Sequence, residues 1–198
     1  MTEQRKSDLK RLDILATGRA LVVRHGFGAV GIARVLSECG IPKGSFYYYF
    51  SSKEDFGIAL LEHYVEEYLA RFDALIDSPG SARDRLDRFW SAWLAQADAE
   101  GIASQCLVVK LGAEVADLSE AMRMILNDGV AQLVRRIADL LRAGAEDGSL
   151  RPVEDPEATA RMLYAKWLGA AILAKLDRSQ APLRQALADT QTQLSLTS

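Results

Sequence analysis

The sequence predicts an all-α protein: an N-terminal three-helix helix-turn-helix domain followed by a bundle of roughly six helices. Three observations predict it. Apolar residues recur at helical spacing along most of the 198 residues. No segment shows the sustained two-residue alternation, or the Asn-Gly or Asp-Gly turn between β-branched runs, that would mark a hairpin. Near the N-terminus a glycine turn, Cys39-Gly40-Ile41, joins two short helical segments.

The first helix is carried by Leu9, Leu12, Leu15, Ala16, Arg19 and Val22/Val23. It stops at His25-Gly26, glycine being the usual residue just past a helix end. A second helix at about 30–38 puts Ile32, Val35 and Leu36 on one face, and Pro42 is expected at the first position of a third. Ser51 and Glu54 fit the S-x-x-E capping box of a fourth helix, which runs to about Ile76 and is broken by Asp77-Ser78-Pro79-Gly80. A fifth, at about 82–98, turns Leu86, Phe89, Trp90 and Trp93 inward, and the stretch 99–104 around Gly101 should be loose. A short helix from about Gln105 to Val115 precedes a long one that Asp117 opens and that ends near Ala145. After the loop Glu146-Asp147-Gly148-Ser149, Asp155 before Pro156 reads as an N-cap with proline at the first helical position. That helix reaches about Leu176. Ser179 is expected to cap the last one, with Pro182 in its first turn.

Charge divides the chain unevenly. Residues 1–53 carry nine Lys/Arg against four acids, a net of +5. Residues 54–198 carry fifteen against twenty-three, a net of −8. A basic headpiece on an acidic body suits a local nucleic-acid footprint rather than a coat along its length. The expected domains are therefore 1–53, DNA-binding, and 54–198, regulatory and dimerising. No run of about 18 apolar residues exists, so no membrane span is expected. The segment Thr2-Glu3-Gln4-Arg5-Lys6-Ser7-Asp8 is no secretory signal, and two cysteines make no disulfide framework, so a reducing cytoplasm is expected. His25 and His63 are isolated, and no metal, cofactor or catalytic set accompanies them.

The segment most telling of function is Pro42-Lys-Gly-Ser-Phe-Tyr-Tyr-Tyr-Phe-Ser-Ser-Lys-Glu54. It is too aromatic for an exposed loop and too polar for a core helix. A short helix that buries Phe46 and Phe50 and shows hydroxyls and ammoniums suits a phosphate backbone. Together with the glycine-ended helix upstream and the capped helix downstream, this segment resembles the TetR family of transcriptional repressors, most strongly over residues 8–58. The resemblance implies double-stranded DNA as partner and a homodimer on a palindrome. Residue by residue it implies Lys43, Ser45 and Tyr47 near base edges, Gly44 for close backbone approach, and Tyr48, Tyr49 and Lys53 on phosphates. Backbone donors near Ser45 and Ser52 favour phosphate as well. One departure is visible: Ala29 and Gly31 stand where the family often opens the second helix with threonine, so a side-chain cap should be missing.

A second resemblance is narrower. Cys106-Leu-Val-Val-Lys-Leu-Gly-Ala-Glu-Val-Ala-Asp-Leu-Ser-Glu-Ala-Met-Arg123 and Leu163-Tyr-Ala-Lys-Trp-Leu-Gly-Ala-Ala-Ile-Leu-Ala-Lys175 are similar to the branch that represses N-ethylmaleimide reductase and glyoxalase-type genes. That implies release by aldehydes, quinones, maleimides or hypochlorite-type oxidants, with Cys106 as sensor and Lys175 as its partner. Ser104-Gln105-Cys106 reads as a cap and first turn, and a thiol at a helix N-terminus is favoured as thiolate. Lys110 lies one turn on, on the same face. By itself, a lone cysteine on a helix reads as a small hydrophobe. Two other readings compete: a non-covalent, acrylate-like ligand in a pocket lined by Trp90, Trp93 and Lys110, and a cysteine-dependent detoxifying enzyme, for which neither histidine lies near Cys106 in sequence. For the dimer, the nearly apolar stretch Trp167-Leu168-Gly-Ala-Ala171-Ile172 and the later Leu183 and Leu187 are the candidate interface; burial inside one chain is the alternative.

Overall fold

A computed structural model describes residues 3–95 and 106–196. All regular structure among them is helical: α1 (Glu3–His25), α2 (Ile32–Glu38), α3 (Lys43–Tyr49), α4 (Lys53–Ile76), α5 (Ala82–Ala95), α6 (Leu107–Leu118), α7 (Glu120–Glu146), α8 (Pro156–Asp177) and α9 (Ala181–Leu194). The expected loose stretch 99–104 and the end of the fifth helix beyond residue 95 lie outside the described residues.

The helix ends follow the turn chemistry, with three shifts of register. Gly26 and Gly40 take φ of +83° and +62°, the left-handed geometry that stops α1 and turns α2 into α3. Pro42 is the residue before α3, at φ −57° and ψ 140°, not its first helical residue. The cap of α4 is Ser52 with Asp55 rather than Ser51 with Glu54. The Ser52 hydroxyl accepts from the Asp55 amide at 3.0 Å, and Asp55 accepts from the Ser51 amide at 2.8 Å. Ser119, not Asp117, opens α7 by accepting from the Met122 amide at 3.3 Å. Asp155 caps α8 as expected, accepting from Ala158 at 2.9 Å ahead of Pro156. Ser179 accepts from the Ala181 amide at 3.1 Å, although Gln180 is the residue that borders α9.

The helices pack as two compact units. One comprises residues up to Glu67 with Lys110–Asn127; the other is formed by the described parts of Tyr68–Val109 and of Asp128 onward. The core of the first is aromatic. Phe46, Phe50 and Phe56 meet at centroid distances of 5.3–5.9 Å. Each is almost fully buried, which contributes about 1.5–3 kcal/mol per ring. The Arg11 guanidinium lies 5.1 Å over Phe50 and closes that core toward α1. In the second unit Trp90 stacks on Trp167 at 4.6 Å and 10°, and Trp93 meets both rings edge-on or tilted. The Trp167 indole donates to Thr190 at 3.2 Å, and Thr190 in turn donates to the Ala186 carbonyl.

Gly18 on α1 is held to glycine by this packing, because a Cβ there would collide with the Phe56 ring. Phe56 is pinned between Phe46 and Phe50, so it cannot swing away. Gly18→Ala should therefore destabilise the chain by about 1–3 kcal/mol despite the better helix propensity of alanine. Urea denaturation would show it; an unchanged or higher midpoint would contradict the packing argument.

Candidate functional site

The segment Lys43–Lys53 divides its aromatics by chemistry. Phe46 and Phe50 are fully buried, whereas Tyr47 and Tyr48 are 62% and 75% exposed. Tyr49 and Ser45 are half-buried, and Gly44 is exposed with open space where a Cβ would stand. Tyr48 and Tyr49 meet edge to face at 5.0 Å, so the outward rings brace one another. Lys43 opens α3; its side chain lies outside the described residues. The expected gap at α2 is present: Gly31 precedes the helix with no side-chain cap.

Lys53 is tied into the headpiece. Its ammonium donates to the Gly28 carbonyl at 3.0 Å and sits 5.0 Å from the centre of the Phe27 ring. The same α1–α2 loop is gripped from its other side. Glu114, on α6, accepts from the Gly28 amide at 2.7 Å and the Phe27 amide at 3.2 Å. Glu54, which does not act in the α4 cap, accepts instead from the Ser119 hydroxyl at 2.6 Å. Gly57 leaves room for Phe27 and Met122, whose side chains would lie within 3 Å of any Cβ there. By local spacing Glu114 is only an acid on its own helix. A partner 87 positions away leaves no local trace.

Cys106 directly precedes α6 and is 1% exposed. The other two residues of the expected cap, Ser104 and Gln105, lie outside the described residues. The thiol neighbours the buried Tyr68 phenol of α4. Burial pushes that phenol well above its ordinary pKa; negative charge on Cys106 adds to the rise, and the Trp93 indole opposes it. Sequence reasoning missed Tyr68. Its spacing of four from the buried Tyr64 was the available signal. Trp90 and Trp93 are fully buried in the aromatic stack, so their rings are core, and Lys110 is half-buried on α6. Lys175 is exposed near the C-terminal end of α8.

The expected interface residues fall on two different faces. Trp167, Ala171 and Leu183 are at most 1% exposed within the single chain, so their side chains are spent on its own core. A helix apolar nearly all round has to spend one face on its own core. Leu168 and Leu187 are half-buried, and Ile172 is 45% exposed, beside Met162, Leu173 and Leu176 at 52–74%. Among the described residues there is no cluster able to hold a metal, and no helix long and apolar enough to cross a membrane.

A helix-turn-helix headpiece with an aromatic, hydroxyl-rich third helix, followed by an all-helical bundle, defines a DNA-binding regulator. The comparisons agree. Residues 14–60 match the family of bacterial regulatory proteins named tetR, and residues 82–190 match the tetracyclin repressor-like C-terminal domain. The HTH-type transcriptional repressor NemR of Escherichia coli is 42% identical over 179 residues, 90% of either chain. The transcriptional regulator AcuR of Cereibacter sphaeroides is 33% identical, over 89% of this chain and 81% of its own. The crystal structure of reduced E. coli NemR superposes with a TM-score of 0.90 at 39% identity, covering 96% of this chain and 98% of that one. The chain belongs to the TetR family of transcriptional regulators, whose members are not enzymes.

The α1–α2 loop gives a direct test of the headpiece geometry. Glu114→Ala leaves the Phe27 and Gly28 amides without their acceptor and should cost about 1–3 kcal/mol. By NMR hydrogen exchange these two amides should lose protection first. Retained protection at both would show that Glu114 does not hold the loop.

Proposed function

We propose that this protein is a repressor that grips a palindromic operator as a homodimer and lets go when a reactive electrophile or oxidant modifies Cys106. The observation that carries the reading is the position of Cys106 on α6. The helix begins at the residue after the thiol and carries, two turns on, the Glu114 carboxylate that fixes the α1–α2 loop of the headpiece. A helix is a stiff element, so a bulkier or re-hybridised sulfur at its start is felt along its length. Burial of the thiol admits compact reagents in preference to large ones. Lys175 enters as the nitrogen that would trap an oxidised sulfur, on the strength of the family resemblance. The non-covalent reading has less support, because Trp90 and Trp93 spend their rings on the core.

In this reading Tyr47 reads base edges or thymine methyl groups, Tyr48 and Tyr49 hold phosphates, and Lys43, Gly44 and Ser45 form the leading edge of α3. Lys53 combines a phosphate contact with its grip on Gly28. The dimer face is the outer strip of α8, with Met162, Ile172, Leu173 and Leu176 and the half-buried Leu168, joined by Leu187 of α9.

Two experiments check the halves separately. In gel shifts on DNA upstream of its own gene, N-ethylmaleimide or hypochlorite should release the wild type and leave Cys106→Ser bound; equal release of both would end the covalent reading. Lys53→Ala should weaken binding to specific and random DNA alike and lower the salt slope by about one, whereas Tyr47→Ala should change sequence preference. Matching effects of the two on both DNAs would refute this division of roles.

A further inference from the structure

Helices α8 and α9 run antiparallel. Only residues 178–180 separate them, and at the far end the Arg151 amide, ahead of α8, donates to the Leu194 carbonyl of α9 at 2.9 Å. The Trp167–Thr190 bond, at 3.2 Å, fixes their register. Lys166 and Asp189 each precede one partner of that bond. In antiparallel neighbours one step back along either helix turns to the same side of the pair, so Lys166 and Asp189 flank one common face. That face is the outer one, because Met162, Leu173 and Leu176 share the α8 stripe with Lys166 and are exposed. Of positions 162, 166, 169, 173 and 176 only Lys166 is charged; of 182, 185, 189 and 193 on α9 only Asp189 is. The face therefore carries one charge of each sign. Within one chain Asp189 attracts the Lys166 ammonium without closing an ion pair with it, and its Oδ1 accepts from Gln185 at 2.8 Å. Lys166 is half-buried. Burial holds its ammonium below the ordinary lysine pKa, and Asp189 opposes that shift. A cation already short of water, set in an apolar strip, is costly to cover unless the covering surface brings an anion.

We propose that this pair keys the homodimer: the outer α8 strips meet across a two-fold axis, and at their α9 edge the Lys166 ammonium of each copy binds the Asp189 carboxylate of the other. This rests on the reading of the outer strip of α8 as the dimer face. An isologous contact brings position 166 to position 189 twice, once in each direction. Asp189 keeps Gln185 on Oδ1 and takes the ammonium on its second oxygen, since a carboxylate accepts several bonds. Gly169, with open space where a Cβ would stand, lets the strips approach closely. An apolar strip by itself accepts any apolar helix. The two charges give it a register, and they reject faces that set cation against cation or anion against anion. The partner that meets both demands is a second copy of this chain.

Charge reversal on the full chain, read by sedimentation equilibrium and native mass spectrometry, tests the pair. Lys166→Glu sets acid against acid in its own homodimer, and Asp189→Lys sets base against base. Each should dimerise about tenfold or more weakly than the wild type. An equimolar mixture of the two should recover the wild-type affinity to within about threefold as the heterodimer, because both contacts then join opposite charges. A role confined to contacts within one chain predicts no such rescue, since each chain keeps its own reversed charge. Unweakened single variants, or a mixture with no preference for the heterodimer, overturn the proposal. If a reversed chain does not fold, the wild type in rising sodium chloride decides: its dimer should weaken, and one that holds or tightens overturns the proposal. Leu173→Asp separates the key from the reading beneath it. A dimer that survives this change is not formed by the α8 strip, which removes that reading. A dimer broken by it but indifferent to both reversals refutes the key alone.

Discussion

The carboxylate of Glu114 is the constraint on which the headpiece depends. Gly26, in left-handed geometry, ends α1 and leaves the Phe27 and Gly28 amides pointing away from any helical acceptor. One acid satisfies both, and a charged acceptor makes each bond stronger than a neutral one would. The Gly28 carbonyl is thereby set to accept from Lys53 at the start of α4, and α4 follows directly on α3. The Ser119–Glu54 bond repeats the link one turn further along. The third helix is thus presented by a chain of polar contacts that begins on α6, not by the helix-turn-helix alone.

Within that frame the aromatic cluster sets the orientation of α3. A seven-residue helix has little stability of its own, since helix nucleation is costly. Burial of Phe46 and Phe50 against Phe56 supplies what propensity cannot, and the same burial forces the intervening tyrosines outward. Inward phenylalanine and outward tyrosine are two consequences of one rotation about the helix axis. The hydroxyl decides which rings stay wet.

Most of the fold was legible because it is written in local signals. The glycine stops, the Asp155-Pro156 cap and the inward set of Leu86, Phe89, Trp90 and Trp93 all rest on spacing of a few residues. Where two polar residues competed for a cap, the register slipped: Ser52 and Asp55 displaced Ser51 and Glu54, and Ser119 displaced Asp117. Two serines in a row offer near-equal caps, and the choice is made by what the losing residue does elsewhere. Here Glu54 is drawn off by Ser119. The links from Glu114 to the loop and from Tyr68 to Cys106 were not legible at all, because their partners are brought together only by the packing of distant helices.

Helix α8 carries its candidate interface residues on two different faces. Its composition is apolar on nearly every side, so periodicity alone cannot distinguish the face spent on the core from the face left over. The core takes Leu163, Tyr164, Trp167, Ala170 and Ala171, anchored by the stack on Trp90 and the indole bond to Thr190. Met162, Ile172, Leu173 and Leu176 are what remains, and they are exposed. Positions 162, 169, 173 and 176 advance by seven, four and three, the spacing of one helical stripe, with Gly169 in the middle permitting close approach. A strip of that kind on an isolated chain is more apolar than water tolerates without cost. A second copy that buries the same strip against itself removes the cost on both sides, and an isologous contact needs no other complementary surface. A stacked tryptophan core inward and, on the proposed reading, a self-complementary strip outward together account for why so little polar sequence separates Pro156 from Asp177.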